Sequence, residues 1–172
     1  MCGIIGIVGK EQVAGRLVEG LRRMEYRGYD SAGVCTVQDG QLIRRRAEGK
    51  LKNLEAVLAA DPAPGTTGIA HTRWATHGAP TTSNAHPHAT REVALVHNGI
   101  IENFKPLREA LQARGRVFES ETDTEVVAHL VSEQVEAGKS PQDAVKSVLS
   151  GTTIADVSER EAQETGAPMY YI

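Results

Sequence analysis

The chain is short of cysteine, of aromatic residues and of charge of one sign. Only two cysteines, Cys2 and Cys35, occur in 172 residues, and they form neither a disulfide framework nor a metal-ligand spacing. In a reducing compartment both stay free thiols. Formal net charge is -3, so nothing points to a nucleic acid or a membrane surface as partner. No apolar run is long enough to span a bilayer. A charged start followed by an apolar signal core is also missing, which predicts a cytoplasmic protein. With 40% hydrophobic and 24% charged residues, the composition is that of an ordinary soluble domain, and the length suits one domain with a core.

What is there alternates between strand and helix patterns. Residues 2–8 (CGIIGIV) are an apolar run that predicts a strand covered on both sides. Val13, Leu17, Leu21 and Met24 recur at helical spacing and predict an amphipathic helix over 11–25. Arg27-Gly28-Tyr29-Asp30 breaks that pattern as a loop. Asp39-Gly40 between residues 32–38 and 41–47 is a strong hairpin signal. In this reading Arg44-Arg45-Arg46 form one solvated face of the hairpin, and Cys35 is a small buried hydrophobe. A helix over 50–60, strands at 67–72 and 93–98, and helices over 103–114 and 123–137 follow. Gly115 and Gly138 act as stops, and a last helix starts at Ser140-Pro141. The polar stretch between the strands at 67–72 and 93–98 is longer than a plain connection needs.

Cys2 stands out by position. Initiator methionine is normally removed before a small second residue, which leaves a thiol and a free α-amine on one residue. That amine has a pKa of about 8, so a useful fraction is neutral and can serve as base for its own thiol, through a bridging water. By itself Met-Cys-Gly reads equally well as the first buried residue of a strand. Asn98-Gly99 alone reads as a tight turn, Asp123 as a helix cap in competition with Thr122, and Trp74 as a packing anchor. His71, His77, His86, His88 and His97 crowd together. His86-x-His88 could offer two imidazoles to zinc, but no further ligand pattern completes a site, so no metal is expected. Gly9-Lys10 is followed by Glu11, so there is no P-loop, and the glycines around Ser31 are one residue too far apart for a nucleophile elbow. No cofactor motif is present.

Taken together, six segments carry a resemblance. Met1-Cys2-Gly3-Ile4, Arg27-Gly28-Tyr29-Asp30-Ser31-Ala32-Gly33 and His71-Thr72-Arg73-Trp74-Ala75-Thr76-His77-Gly78 are similar to the class II glutamine amidotransferases. So are Asn84-Ala85-His86-Pro87, His97-Asn98-Gly99 and Ser120-Glu121-Thr122-Asp123-Thr124-Glu125. The wording most resembles the glutaminase domain of the glucosamine-6-phosphate synthases, the glutamine–fructose-6-phosphate aminotransferase family of amino-sugar biosynthesis. The resemblance implies an α+β fold, the four-layer αββα sandwich of the N-terminal nucleophile hydrolases. It implies hydrolysis of L-glutamine to glutamate and ammonia through a γ-glutamyl thioester on Cys2. The Asn98 side chain and Gly99 N–H would hold the oxyanion, such donors being worth ~3 kcal/mol each. Arg73 would take the α-carboxylate in a forked contact and Asp123 the α-ammonium. Thr76 and His77 would line the pocket and Trp74 would close over it. His86 would brace the substrate loop by hydrogen bonds, and Arg27 and Gly28 would position the Cys2 end.

The resemblance stops at Leu149. Residues 1–149 then form a glutaminase domain lacking its last strands, 150–172 a divergent tail, frayed or disordered, and the sugar isomerase domain is absent. Met169-Tyr170-Tyr171-Ile172 is an apolar end able to dock. Two readings follow. The first is a glutaminase, working alone or with a sugar isomerase domain on another chain or a full-length homologue. The second is an inactive fragment or partner-binding module. A third, a different class II amidotransferase such as a phosphoribosyl-pyrophosphate amidotransferase, is opposed by the wording of the Arg27 and Arg73 segments.

Overall fold

Asp39 and Gly40 set the first hairpin. Both lie at positive φ (52° and 76°), as a two-residue turn matching strand twist requires. They join β2 (Ser31–Gln38) to β3 (Gln41–Glu48). The computed structural model describes residues 2–75, 78–150 and 154–155, with Arg27, Ile154 and Ala155 described by backbone alone. β1 (Gly3–Val8) and β4 (Thr67–Arg73) complete a four-stranded antiparallel sheet in the order β1-β4-β2-β3.

Strand pleating sorts this sheet into two faces. One face, with Ile5, Ile7, Ala32, Val34, Ile43, Ala47 and Ala70, packs against α1 (Ala14–Arg22) and α2 (Leu51–Ala60). Leu17, Leu21, Leu51 and Leu54 from those helices are at most 1% exposed. Each such leucine contributes about 1.5–3 kcal/mol by leaving water. The opposite face, by the same register, carries His71, Gly33 and Arg46, and the segment 83–88 lies over it. That segment leads into β5 (His88–Ala89), paired with β6 (Ala94–Leu95). β7 (Ile100–Ile101) pairs with β8 (Ile154–Ala155). Beyond them α3 (Phe104–Ala113), α4 (Thr124–Glu136) and α5 (Pro141–Leu149) pack in series. The order is helix, sheet, short strands, helix. The α+β class and the layer sequence match expectation, with the third layer reduced to two-residue strands among the described residues.

Helix ends follow the sequence signals. Gly115 and Gly138 both sit at φ 87°, just past α3 and α4. Ser140 caps α5 by accepting from Asp143 N–H, with Pro141 in the first turn. Asp123, rather than Thr122, caps α4.

Three expectations need correction. β1 is not covered on both sides. It is an edge strand, and among the described residues only its α1 face is buried, leaving Ile4 45% and Val8 85% exposed. The arginine run is not one solvated face. Alternation sends Arg44 and Arg46 to Glu119 and Arg45 to Asp61, and Arg46 is nearly buried. The strand placed at 93–98 shrinks to Ala94–Leu95, and its pairing with β5 covers only the two pairs His88–Leu95 and Ala89–Ala94. Of the tail, only Ser150 and the backbone of Ile154–Ala155 are described. The docking role given to Met169-Tyr170-Tyr171-Ile172 lies outside the described residues.

Gly33 fixes how closely the 83–88 segment approaches the sheet. A Cβ there would lie 2.2 Å from the His86 carbonyl oxygen. Gly33→Ala is expected to destabilise the fold by about 3 kcal/mol, the upper end of overpacking costs, because backbone must move. A denaturant-unfolding midpoint equal to that of the parent would refute this close approach.

Candidate active site

The β1–β4 ladder ends at the Gly3–Thr72 pair, so Cys2 stands beside Arg73 on the sheet face opposite the helices. Two contacts fasten that end. Gly3 N–H donates to the buried Thr72 Oγ1 at 3.0 Å. Trp74 N–H donates to Cys2 Sγ at 3.3 Å. Burial pushes the Cys2 thiol above its ordinary pKa, and the Trp74 N–H and the Arg73 charge only partly oppose this. Burial therefore favours the thiol over the thiolate at neutral pH.

Arg73 is 4% exposed. Its guanidinium donates to the carbonyl oxygens of Ala79 and Gly78, each at 3.3 Å, and lies 3.9 Å from Asp30 Oδ1. Burial lowers its pKa, while Asp30, Cys2 and Asp123 favour the charged form. A guanidinium stays charged throughout the physiological range regardless.

Asp123 is also 4% exposed. Oδ1 accepts the Thr124 N–H at 2.9 Å and Oδ2 the Ile101 N–H at 2.7 Å. The cap of α4 thus also anchors β7, and Asn98-Gly99 lies just upstream of that anchor. Asn98 is exposed and Gly99 half-buried. His97 shares a hydrogen bond with Thr124 Oγ1 at 3.4 Å. Asn98-Gly99 lies between His97 and β7, and both of these are held by α4 residues, Thr124 and Asp123. Glu125 holds the 119–120 backbone by accepting Glu119 N–H, Ser120 N–H and Ser120 Oγ. Burial alone would raise the Glu125 pKa, but hydrogen bonds from His129, Ser120 and the Glu119 backbone leave it at about 2.

Three imidazoles form a buried column between these parts. His71 and His86 have ring centroids 4.3 Å apart, and His86 and His88 4.5 Å apart. His88 Nε2 then meets Thr122 Oγ1 at 2.8 Å. Arg46 donates to the Ser83 and Ala85 carbonyls and holds the middle of the column from below. His86 meets its neighbours through ring contacts with His71 and His88. Neither of its ring nitrogens has a hydrogen-bond partner among the described residues. Burial is the first cause in pushing the His71 and His88 pKa values down to about 3 and that of His86 well below normal.

Gly28 lies under Trp74. It has φ +73°, and a Cβ would come 2.6 Å from the indole ring. Trp74 itself is 54% exposed. Gly28 therefore seats the residue whose N–H meets the Cys2 sulfur. The Arg27 backbone ends the 3-10 turn Glu25–Arg27. Thr76 and His77 lie outside the described residues. The structure thus joins Cys2, Gly28, Arg73 and Trp74 directly, and links Asp123 with Asn98-Gly99 through β7. Sequence reasoning gave no role to Asp30, Thr72 or His88, although Asp30 and Thr72 lie inside quoted motifs. No helix among the described residues is long and apolar enough to cross a membrane.

The fold is that of the N-terminal nucleophile type of amidotransferase. A solved structure of the Bacillus subtilis glutamine phosphoribosylpyrophosphate amidotransferase superposes with TM-score 0.71 at 27% identity. The match covers 90% of this chain and 34% of that one. A family profile described as glutamine amidotransferase domain matches residues 60–146, half of the chain, and the chain belongs to that family. It is 70% identical over 149 residues to the glutamine–fructose-6-phosphate aminotransferase (isomerizing) of Zymomonas mobilis, and 65% identical over the same length to that of Brucella abortus. Each match covers 87% of this chain, which spans about a quarter (24%) of the length of these curated relatives.

The histidine column makes stability depend on pH in a defined window. Below about pH 6.5 the unfolded chain protonates these rings, while the folded chain keeps His71 and His88 neutral down to about 3. Depressed histidine values mean that the unfolded state binds more protons there, so stability falls as pH falls. Glu125 adds its loss only between about 4.5 and about 2. The urea-unfolding free energy is expected to drop between about pH 7 and about pH 5, before Glu125 titrates. A flat profile in that window would contradict the buried neutral column.

Proposed function

We propose that residues 1–149 form a glutaminase domain that hydrolyses the side-chain amide of L-glutamine to glutamate and ammonia, with Cys2 as nucleophile. One observation carries the reading: a thiol at the open end of a sheet ladder, bonded by a backbone N–H and flanked by a buried arginine that is electrostatically linked to a buried aspartate. Those two charges suit the two ends of a free amino acid.

Removal of Met1 would expose the α-amine of Cys2. Through a bridging water the neutral amine takes the thiol proton, and the sulfur attacks the amide carbon. The carbonyl oxygen becomes an oxyanion, stabilised by the Asn98 side chain and the Gly99 N–H. Collapse of the tetrahedral intermediate breaks the C–N bond. The nitrogen receives the stored proton and leaves as ammonia, and a γ-glutamyl thioester remains on Cys2. Water then adds to the thioester with the amine as base, and glutamate is released with the thiol restored. Arg73 holds the α-carboxylate. Asp123 takes the α-ammonium through Oδ2, which keeps an acceptor site beside the Ile101 N–H, while Oδ1 serves the Thr124 N–H and hydroxyl. Thr76 and His77 line the pocket, Trp74 covers it, Arg27 and Gly28 hold the Cys2 end, and His86 braces the loop.

The relatives' names point to an aminotransferase, of which this chain would be the amide-hydrolysing part. The ammonia acceptor would then be bound by a sugar isomerase domain. A reducing cytoplasm would keep the Cys2 thiol free.

The reading is tested with Met1-processed protein. Glutamine should yield glutamate, and an electrophilic glutamine analogue should label Cys2. Cys2→Ala should abolish both while leaving the melting temperature unchanged. Glutamate release persisting in that variant would exclude the thiol. Arg73→Lys is expected to raise the glutamine KM about tenfold with little change in kcat, because a point charge replaces a forked contact. An unchanged KM would count against the carboxylate role.

A further inference from the structure

We propose that Asp30 is a positioning residue of this site, orienting the Arg73 guanidinium for an amino-acid carboxylate and holding the backbone that bonds the Cys2 sulfur. The inference rests on the glutamine-hydrolysing reading above and extends it to a residue that touches neither the reacting amide nor the sulfur.

Asp30 is fixed by its backbone on both sides. Its N–H donates to the Arg73 carbonyl at 2.8 Å, and its own carbonyl accepts from Gly49 N–H at 2.6 Å. The carboxylate then divides its two oxygens. Oδ1 accepts the Ser31 hydroxyl at 3.0 Å and faces the Arg73 guanidinium at 3.9 Å. Oδ2 accepts the Ala75 N–H. Arg73, Trp74 and Ala75 are consecutive, so this one side chain and its N–H grip the residues on either side of Trp74. The peptide between those grips supplies the N–H that meets Cys2 Sγ. The guanidinium has the Gly78 and Ala79 carbonyls on two of its nitrogens and the Asp30 charge beside one of them. Carbonyl dipoles fix a plane, and the carboxylate selects the rotamer.

Positioning and plain electrostatics give opposite signs. If Asp30 merely competed for Arg73, removing its charge would strengthen binding of an amino-acid carboxylate. If it orients Arg73, removal weakens binding. Asp30→Asn keeps an oxygen for the Ala75 N–H and removes the charge.

Two labelling rates on Cys2 separate recognition from thiol reactivity. Iodoacetamide, which has no carboxylate, reports the sulfur. A chloroketone analogue of glutamine, which carries both the α-carboxylate and the α-amine, reports recognition as well. In Asp30→Asn the analogue rate should fall about tenfold, the size of one misoriented charge-assisted contact, while the iodoacetamide rate stays within about twofold. An analogue rate that is unchanged or higher overturns the positioning role. A parent protein that labels no faster with the analogue than with iodoacetamide removes the glutamine reading itself, and this proposal with it. Should Asp30→Asn melt well below the parent, Ser31→Ala gives the same comparison. It deletes only the hydroxyl on Oδ1, and a fall of about threefold in the analogue rate is expected from the loosened carboxylate. No fall in that variant would again overturn the role.

Discussion

The antiparallel pairs between β1 and β4 run out at Gly3 and Thr72, and the next residues on the two strands are Cys2 and Arg73. Pleating puts both on the face away from α1 and α2, with His71 one pair further in. A slip of β1 by one residue would turn Cys2 toward the helix-packed core and away from Arg73, which β2 holds in register on the other face. The slip is blocked because Ile5 and Ile7 already fill the space over α1, and because Gly3 N–H is committed to Thr72 Oγ1. Strand register, set by apolar packing on one side of the sheet, therefore decides which chemistry is presented on the other.

The two cysteines show how far environment separates identical side chains. Cys35 lies two residues past Gly33 on the same face, 2% exposed, and burial raises its pKa to about 11. It is an inert core residue. Cys2 is also raised by burial, but a backbone N–H and the arginine charge pull in the other direction. Those donors do not by themselves give a thiolate at neutral pH. The proposed α-amine supplies what the folded site lacks, and it is available only on the first residue of a processed chain. A thiol that stays protonated until its base acts is also protected from unwanted oxidation.

Much of this was legible in the sequence, for physical reasons that differ by element. α3, α4 and α5 were readable from periodicity, from Gly115 and Gly138 beyond two of their ends, and from Ser140-Pro141. The β2–β3 hairpin was readable from Asp39-Gly40. Cys2, Arg73 and Asp123 stood out because chemically demanding residues sat in recognisable wording. What was not legible depends on distant partners. Arg44 and Arg46 look solvated until Glu119, more than seventy residues on, folds onto them. The histidine column joins β4, an irregular segment and a strand of two residues, none of which leaves a periodic signal. β1 looked doubly covered because its composition is apolar on both faces, whereas coverage is a property of neighbours.

The column matters to the charges at either end of it. In the proposed reading a ligand between Arg73 and Asp123 would be recognised by two buried ionic groups, and charges placed nearby without water to screen them would disturb both. His71 lies two residues from Arg73, and His88 reaches Thr122, the residue before Asp123. Were these rings protonated, the first would repel the guanidinium and the second would draw the carboxylate away from a ligand amine. Desolvation keeps them neutral, so they fill volume and transmit position without adding charge. Aliphatic side chains could fill the same volume, but could not hydrogen-bond Thr122. Imidazole held neutral by burial meets both demands, filling the space between β4 and the start of α4 while keeping the bond to Thr122.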